Sequence, residues 1–542
     1  MQKVLFGFDS QQKLKNGINT LTDAVKVTLG AAGQNVLIEK DSGAYITKDG
    51  VSILKSISLE DPIENLGAQL IKDVAQKTVD EAGDGTTTSS ILAGAIYNEG
   101  IKNVVAGANP IKIKKGIDIA VSFVVDFIKN NSINIKNNFE NIKNVAKISA
   151  NNDEEIGLLI ANAISQVGES GLITVEESKG TETYVSVVEG MQFDRGYTSP
   201  NFCTNQQNME CILENPIIFF KDGKLDSFKD VISLLQNIMS LKLNNRPLLI
   251  LADDFSNEVL TGLVINKLRG GFNLCAVKSP SYGDMKRAIL EDMAILTGGI
   301  VCNEENGKNI EFFTEANYGS VEKVIITKNS TTLINGKGNK EKIQERIIYL
   351  KNQIENSSEV YDTEKFQERL AKLSGGVAVI SVGAQSEIEM KEKKDRVDDA
   401  VLCTKSALEE GVIPGGGIIY VKALETLNAI DKLKNTLFQE EKLGIDIIKE
   451  SIIIPCKQIL ANANLNSEVI FEKIKESSNI NFGFDVKDNE YKDFYKSGLL
   501  DSAKVARVAL INAASIVGTL LTTKCTIFNV KESICCSCKN KE

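Results

Sequence analysis

The stretch Gly83-Asp84-Gly85-Thr86-Thr87-Thr88 constrains this chain more than any other. Two glycines, a carboxylate and three hydroxyls fall where one helix stops and the next begins. Upstream, Asp61-Pro62 reads as an N-cap and first helical position, with Leu66, Leu70, Val74 and Ala75 at helical spacing up to the glycines. Downstream, Ile91, Leu92, Ala95 and Ile96 carry the second helix, so its free N–H groups and positive dipole end face the turn. An anion fits such a place. Asp84 repels a bare phosphate, so its presence makes sense if it holds Mg²⁺ that bridges to phosphate oxygens. Taken alone, the same turn also reads as an ordinary capped helix start.

Other turns resemble it. Thr28-Leu29-Gly30-Ala31-Ala32-Gly33-Gln34-Asn35 closes a helix with the apolar stripe Leu14, Ile18, Leu21 and Val25, and Gly30 suits its C-cap. Ile46-Thr47-Lys48-Asp49-Gly50-Val51 follows the strand-like Val36-Leu37-Ile38 and carries the Asp-Gly signature of a tight hairpin, with Lys48 and Asp49 in reach of the same phosphates. Gly415-Gly416-Gly417 is a third turn where backbone can approach a ligand closely. These turns lie before about residue 130 and after about residue 410, so the two ends must meet to form one site and the middle is an insertion. Asn130 to Asn134, Gly375-Gly376 and Gly415-Gly416 are the candidate boundaries.

Composition narrows the chemistry. The 542 residues suffice for roughly three or four domains. A formal charge of −10 argues against a nucleic-acid partner. The chain has no histidine, which removes the commonest general base and the His-paired nucleophiles and leaves carboxylates as the acid–base groups. Ten cysteines are scattered without a disulfide pattern apart from Cys535, Cys536 and Cys538, which read as free thiols of a mobile tail or as a metal or redox site. Neither a P-loop nor a dinucleotide-binding glycine motif occurs. The opening residues lack a signal-peptide core and no apolar run approaches the roughly 20 residues of a membrane helix, so a soluble cytoplasmic protein without a membrane partner is expected.

Together with Arg396-Val397-Asp398-Asp399-Ala400, Glu389 to Lys394, and Gly190-Met191-Gln192-Phe193-Asp194-Arg195-Gly196-Tyr197, these segments closely resemble the group I chaperonins, the bacterial GroEL family, over nearly the whole chain. The resemblance implies a multidomain α+β fold. A mostly helical equatorial domain (1–131 and 410–542) would be joined through a small intermediate α/β domain (132–189 and 377–409) to an apical α/β domain (190–376). It implies an ATPase with Asp399 and Asp49 as catalytic groups and Asp84 on Mg²⁺. Thr28, Leu29, Gly30, Lys48, Asp49, Gly50, Gly85, Thr86, Thr87, Thr88, Ile148, Ser149, Gly416 and Asp501 match nucleotide-pocket positions, and Thr28, Lys48 and Thr87 match those near a K⁺ ion. It further implies unfolded clients, a co-chaperonin of the GroES type and a homo-oligomer of two seven-membered rings. A degenerate member acting as a holdase or scaffold, and an unrelated ATP-dependent enzyme, are the competing readings.

In the middle, Ser227 to Leu243 (Phe228, Val231, Ile232, Leu235, Ile238, Met239) and Ser256 to Leu268 (Val259, Leu260, Leu263, Val264, Ile265) have wide apolar faces. Periodicity alone reads them as core. The resemblance instead places Ile232, Leu235, Leu260, Val264 and Ile265 in a client and co-chaperonin groove, with Tyr197 and Phe202 beside it. The chain departs from the family pattern at Ala31-Ala32 (Pro-Lys), at Asn201 (tyrosine) and at Phe484-Asp485-Val486-Lys487 (Tyr-Asn-Ala-Ala). The Leu235–Pro247 segment is longer than usual, and the tail lacks Gly-Met repeats.

Overall fold

The computed structural model describes residues 2–40, 43–136, 138–168, 171–178, 180–206, 209–243, 245–281, 283–303, 313–356, 360–430 and 437–529. Cys535, Cys536 and Cys538 lie outside the described residues. The chain divides into two compact units, Met1–Asn162 with Glu177–Glu182 and Val382–Glu542, and Ala163–Glu176 with Thr183–Ser381.

The first unit is mainly helical, and both ends of the sequence build it. Strands Gln2–Phe6 and Cys525–Asn529 pair antiparallel. Helix Pro62–Ala82 starts where the Asp61 carboxylate accepts the Ile63 and Glu64 N–H groups, and it stops at Gly83, whose φ of 76° only glycine adopts without cost. Its buried stripe is Ile63, Gly67, Ala68, Ile71, Val74 and Ala75, whereas Leu66 faces outward. The small residues face inward because this helix crosses Gly7–Lys26 backbone to backbone. A Cβ on Gly67 would lie 2.4 Å from the Leu14 carbonyl oxygen, and one on Gly17 1.9 Å from that of Glu64. The crossing of Pro110–Asn130 with Gln439–Ile452 repeats the device with Gly116 and Gly444.

Three local expectations are corrected here. Helix Gly7–Lys26 is capped at Val27, and Gly30 takes φ 83° three residues further on. The Asp49-Gly50 pair is not a hairpin turn, since strands Val36–Lys40 and Gly43–Thr47 already pair with each other. Asp49 instead caps a new helix, Gly50–Ser56, by accepting the Val51 and Ser52 N–H groups at 3.0 and 2.8 Å. One helix, Ala503–Leu521, is after all long and apolar enough to span a membrane. It packs against Pro62–Ala82, Thr86–Val105 and Pro110–Asn130 with Ala509, Leu510, Ala513 and Val517 buried, so its apolarity serves the core of this unit.

In the second unit, parallel strands Ile217–Lys221, Leu248–Ala252 and Leu274–Lys278 are joined by helices Phe228–Ser240 and Asn257–Leu268. The first two strands are buried along their whole length, as expected of a sheet covered on both faces. Antiparallel strands Gly319–Ile326, Thr331–Gly336 and Gly190–Phe193 extend the sheet. Helices Gly283–Thr297, Lys340–Asn356 and Val360–Ser374 are tied by one buried carboxylate, because Asp292 accepts Arg346 Nε at 2.7 Å and Arg369 Nε and Nη2 at 2.7 and 3.0 Å. Helices and mixed sheets thus make a multidomain α+β protein.

Candidate functional site

The glycine turns of the first unit converge on one cavity of about 360 Å³. Thr28, Leu29 and Gly30 enter it from the turn after the first helix, and Lys48, Asp49 and Gly50 from the segment after the hairpin. Asp84, Gly85, Thr86, Thr87 and Thr88 come from the junction of two helices, Ile148 and Ser149 from the end of helix Phe139–Ser149, and Asp399 from helix Glu387–Glu410. Gly416 and Asp501 close it from late in the sequence. Every residue that the sequence assigns to a nucleotide or its cations lines this cavity.

Local chemistry explains the convergence. Gly85 is the N-cap of helix Thr86–Val105 with φ 90°, and a Cβ there would lie 2.7 Å from Val505 Cγ1, so the helix start is carried by a residue without a side chain. A Cβ on Gly50 would meet the Thr86 and Thr87 hydroxyls at 2.6 and 2.8 Å, so this glycine lets the two turns touch. Asp501 Oδ2 accepts the Gly416 N–H at 3.1 Å and ties the triglycine turn to the strand Leu500–Ser502. Asp84 accepts the Gly85 N–H and the Ser149 hydroxyl, the latter at 3.4 Å. Thr28 donates its hydroxyl to Val25 O at 2.8 Å.

The electrostatics are one-sided. Desolvation, and then the neighbouring carboxylates, push Asp399 well above the usual carboxylate range, with Asp84 and Asp49 the strongest of them. Asp84 is raised chiefly by desolvation, against the hydrogen bonds it accepts. Asp501 is pushed up to about 6 by desolvation and by Asp84. Carboxylates packed together in this way favour a bound cation. No group of three or more His, Cys, Asp or Glu side chains among the described residues is placed to hold a metal. A carboxylate such as Asp84 could hold a hard cation that takes its other oxygens from phosphate and water.

Sequence reasoning missed Asp395 and Cys403, which also line the cavity. They stand one turn before and one turn after Asp399, a spacing that puts them on its face and could have found both. It also missed Asn151 and Asn152, in left-handed conformation with φ 58° and 68°, although an Asn pair after a helix is a known signal of that geometry. Phe484, Asp485, Val486 and Lys487 form part of the wall, so the departure from the family pattern there bears directly on the cavity.

A family model, that of the TCP-1/cpn60 chaperonins, matches residues 21–531. The chain belongs to the TCP-1/cpn60 chaperonin family. Chaperonin gp146 from the bacteriophage EL 2 (Pseudomonas aeruginosa), solved in two crystal forms in the presence of ATP-BeFx, shares the fold. One form has a TM-score of 0.71 at 22% identity and the other 0.64 at 23%, each match covering 97% of this chain and 99% of that one. Membership brings with it a chaperone role.

The second unit of this chaperonin presents the apolar helices. Phe228–Ser240 and Asn257–Leu268 pack together where Gly262 admits the Phe228 ring. Their outer faces expose Ile232 (41%), Ile265 (42%) and Leu268 (71%). Leu260, Val264 and Tyr197 are half-buried against the core of the unit. Two expected groove residues are core residues. Leu235 is buried, and Phe202 is 0% exposed under helix Asn257–Leu268, where Lys267 Nζ donates to its carbonyl oxygen.

Proposed function

We propose that this chaperonin captures non-native proteins on the exposed apolar strip of its second unit and drives their release and folding by hydrolysing ATP in the cavity of the first. The observation that carries the reading is that the threonine helix start, Asp84 and Asp399 face one cavity. ATP would supply the phosphates for the free N–H groups at Thr86, Thr87 and Thr88, and Mg²⁺ would bridge Asp84 to them. K⁺ would be held near Thr28, Lys48 and Thr87. Asp399, crowded by carboxylates and desolvated, is suited to accept a proton from the attacking water, a positioned-base role worth ~10²–10⁴ in rate. Asp49, fixed by its capping bonds, acts beside it.

An apolar strip suits many clients because each buried aliphatic side chain contributes roughly 1.5–3 kcal/mol without directional demands. A nucleotide releases such clients only if it binds two states of the protein differently. The reading includes the five-segment domain division given above, a double seven-membered ring closed by a co-chaperonin, and a cytoplasmic location. The ATP analogue present with the phage relative supports the nucleotide part. The altered wall at Phe484 to Lys487 favours a second reading, a holdase with little turnover.

ATPase assays with purified protein decide between them. Asp399→Ala is expected to bind ATP but lose about 10²-fold or more in kcat, and Asp84→Ala to lose its Mg²⁺-dependent turnover. Equal activity of wild type and both variants would reject the site, and an inactive wild type that still holds denatured client would establish the second reading.

A further inference from the structure

One hydrogen bond ties the strand that leads into one wall of the cavity to the helix that forms another. Tyr45, on strand Gly43–Thr47, donates its hydroxyl to Asp395 Oδ2 at 3.1 Å across 350 residues of sequence. On the Tyr45 side, the strand runs straight into the segment that carries Lys48 and Asp49, whose path is set by the Asp49 N–H donating to Thr47 Oγ1 at 3.0 Å. On the other side, Asp395 lies one helical turn before Asp399, so the two carboxylates share a face of helix Glu387–Glu410, and both line the cavity. Tyr45 itself is half-buried, whereas Ala44 and Ile46, which point to the opposite face of the strand, are exposed.

We propose that Tyr45 is a positioning residue for ATP hydrolysis, holding helix Glu387–Glu410 through Asp395 so that Asp399 faces the cavity. The inference rests on the ATPase reading given above. A carboxylate within one turn of the catalytic candidate is fixed in place when it accepts a hydroxyl hydrogen bond, a charge-assisted contact stronger than a neutral one. A fixed base matters because small displacements at a reacting centre reduce rate far more than they reduce binding.

The test is steady-state ATPase kinetics on the full-length protein with four variants. Tyr45→Phe keeps the ring and removes the hydroxyl, and is expected to lower kcat about tenfold with KM for ATP within about twofold, the size of one lost charge-assisted bond. Asp395→Ala should lose as much. The double variant should be no worse than either alone, since both remove the same contact. Asp395→Asn keeps an acceptor oxygen for the Tyr45 hydroxyl without the charge and should lose less kcat than Asp395→Ala, a graded rescue that a general structural lesion would not give. Hydrogen exchange in segment 387–410 should quicken in Tyr45→Phe and not in Asp395→Asn. An active wild type with kcat unchanged by Tyr45→Phe, or losses that add in the double variant, overturns this inference alone. A wild type without turnover overturns the ATPase reading and this inference with it.

Discussion

Asp501 shows how a single residue carries the strain of an ionic cavity. Its carboxyl is pushed from the ordinary 3.8 up to about 6, first by desolvation and then by the Asp84 charge. Between these two values the folded chain keeps a proton that the unfolded chain has lost, so stability falls as pH rises and the full cost is present above pH 6. Asp501→Asn keeps an acceptor for the Gly416 N–H and removes the charge. Without nucleotide it should be more stable than wild type at pH 7.5 by about 1–3 kcal/mol, and the gap should close below pH 4. Thermal melts at the two pH values check this, and identical melting at pH 7.5 would contradict a desolvated carboxylate. At this scale the lining of the cavity was legible only from several glycine turns read together, since each turn alone also serves as an ordinary cap. What escaped was the partnership of side chains distant in sequence, such as Tyr45 with Asp395.

Among elements, helix starts were the clearest sequence signals. Asp61-Pro62 caps the helix it was expected to cap, and the threonines open the helix after Gly85. Asp49-Gly50 was misread because an Asp-Gly pair serves both a hairpin turn and an N-cap, and only the pairing of strands Val36–Lys40 and Gly43–Thr47 decides between them. The apolar stripes of the second unit mixed core and surface positions for a related reason. Periodicity orients a helix but does not say how deep it sits; it read both stripes as core, which holds for Leu235 but not for the exposed Ile232 and Ile265, while the resemblance placed Leu235 and Phe202 in the groove although both are buried. The three-helix tie at Asp292 was not readable at all, its partners lying 54 and 77 residues away. Asp292→Ala would leave the enclosed Arg369 guanidinium unpaired and should destabilise this unit by about 3 kcal/mol or more. Urea unfolding of the full chain reads the loss, which should exceed that of Arg346→Leu, whose guanidinium also reaches Glu291 at the surface.

For the whole molecule, the order of motifs along the chain announced a unit built from both ends around an insertion, and the family match and fold agree on a chaperonin. The proposed activity depends on the apolar strip being free to bind. Ile232→Ser with Ile265→Ser, both exposed, should weaken capture of a denatured client by about tenfold or more while leaving stability within about 0.5 kcal/mol. Co-sedimentation with a denatured client measures the first and chemical denaturation the second, and full capture by the doubly substituted protein would remove the strip from the proposal. The pairing of Gln2–Phe6 with Cys525–Asn529 has a consequence for biogenesis. During synthesis on the ribosome, the first strand emerges hundreds of residues ahead of the strand it pairs with, whereas most of the second unit is contiguous and can fold as it appears. The cavity lined by Thr28 and Asp84 can therefore be completed only once Asp501 has been made, more than 400 residues later, and until then the helices of the first unit present unburied core to the cell.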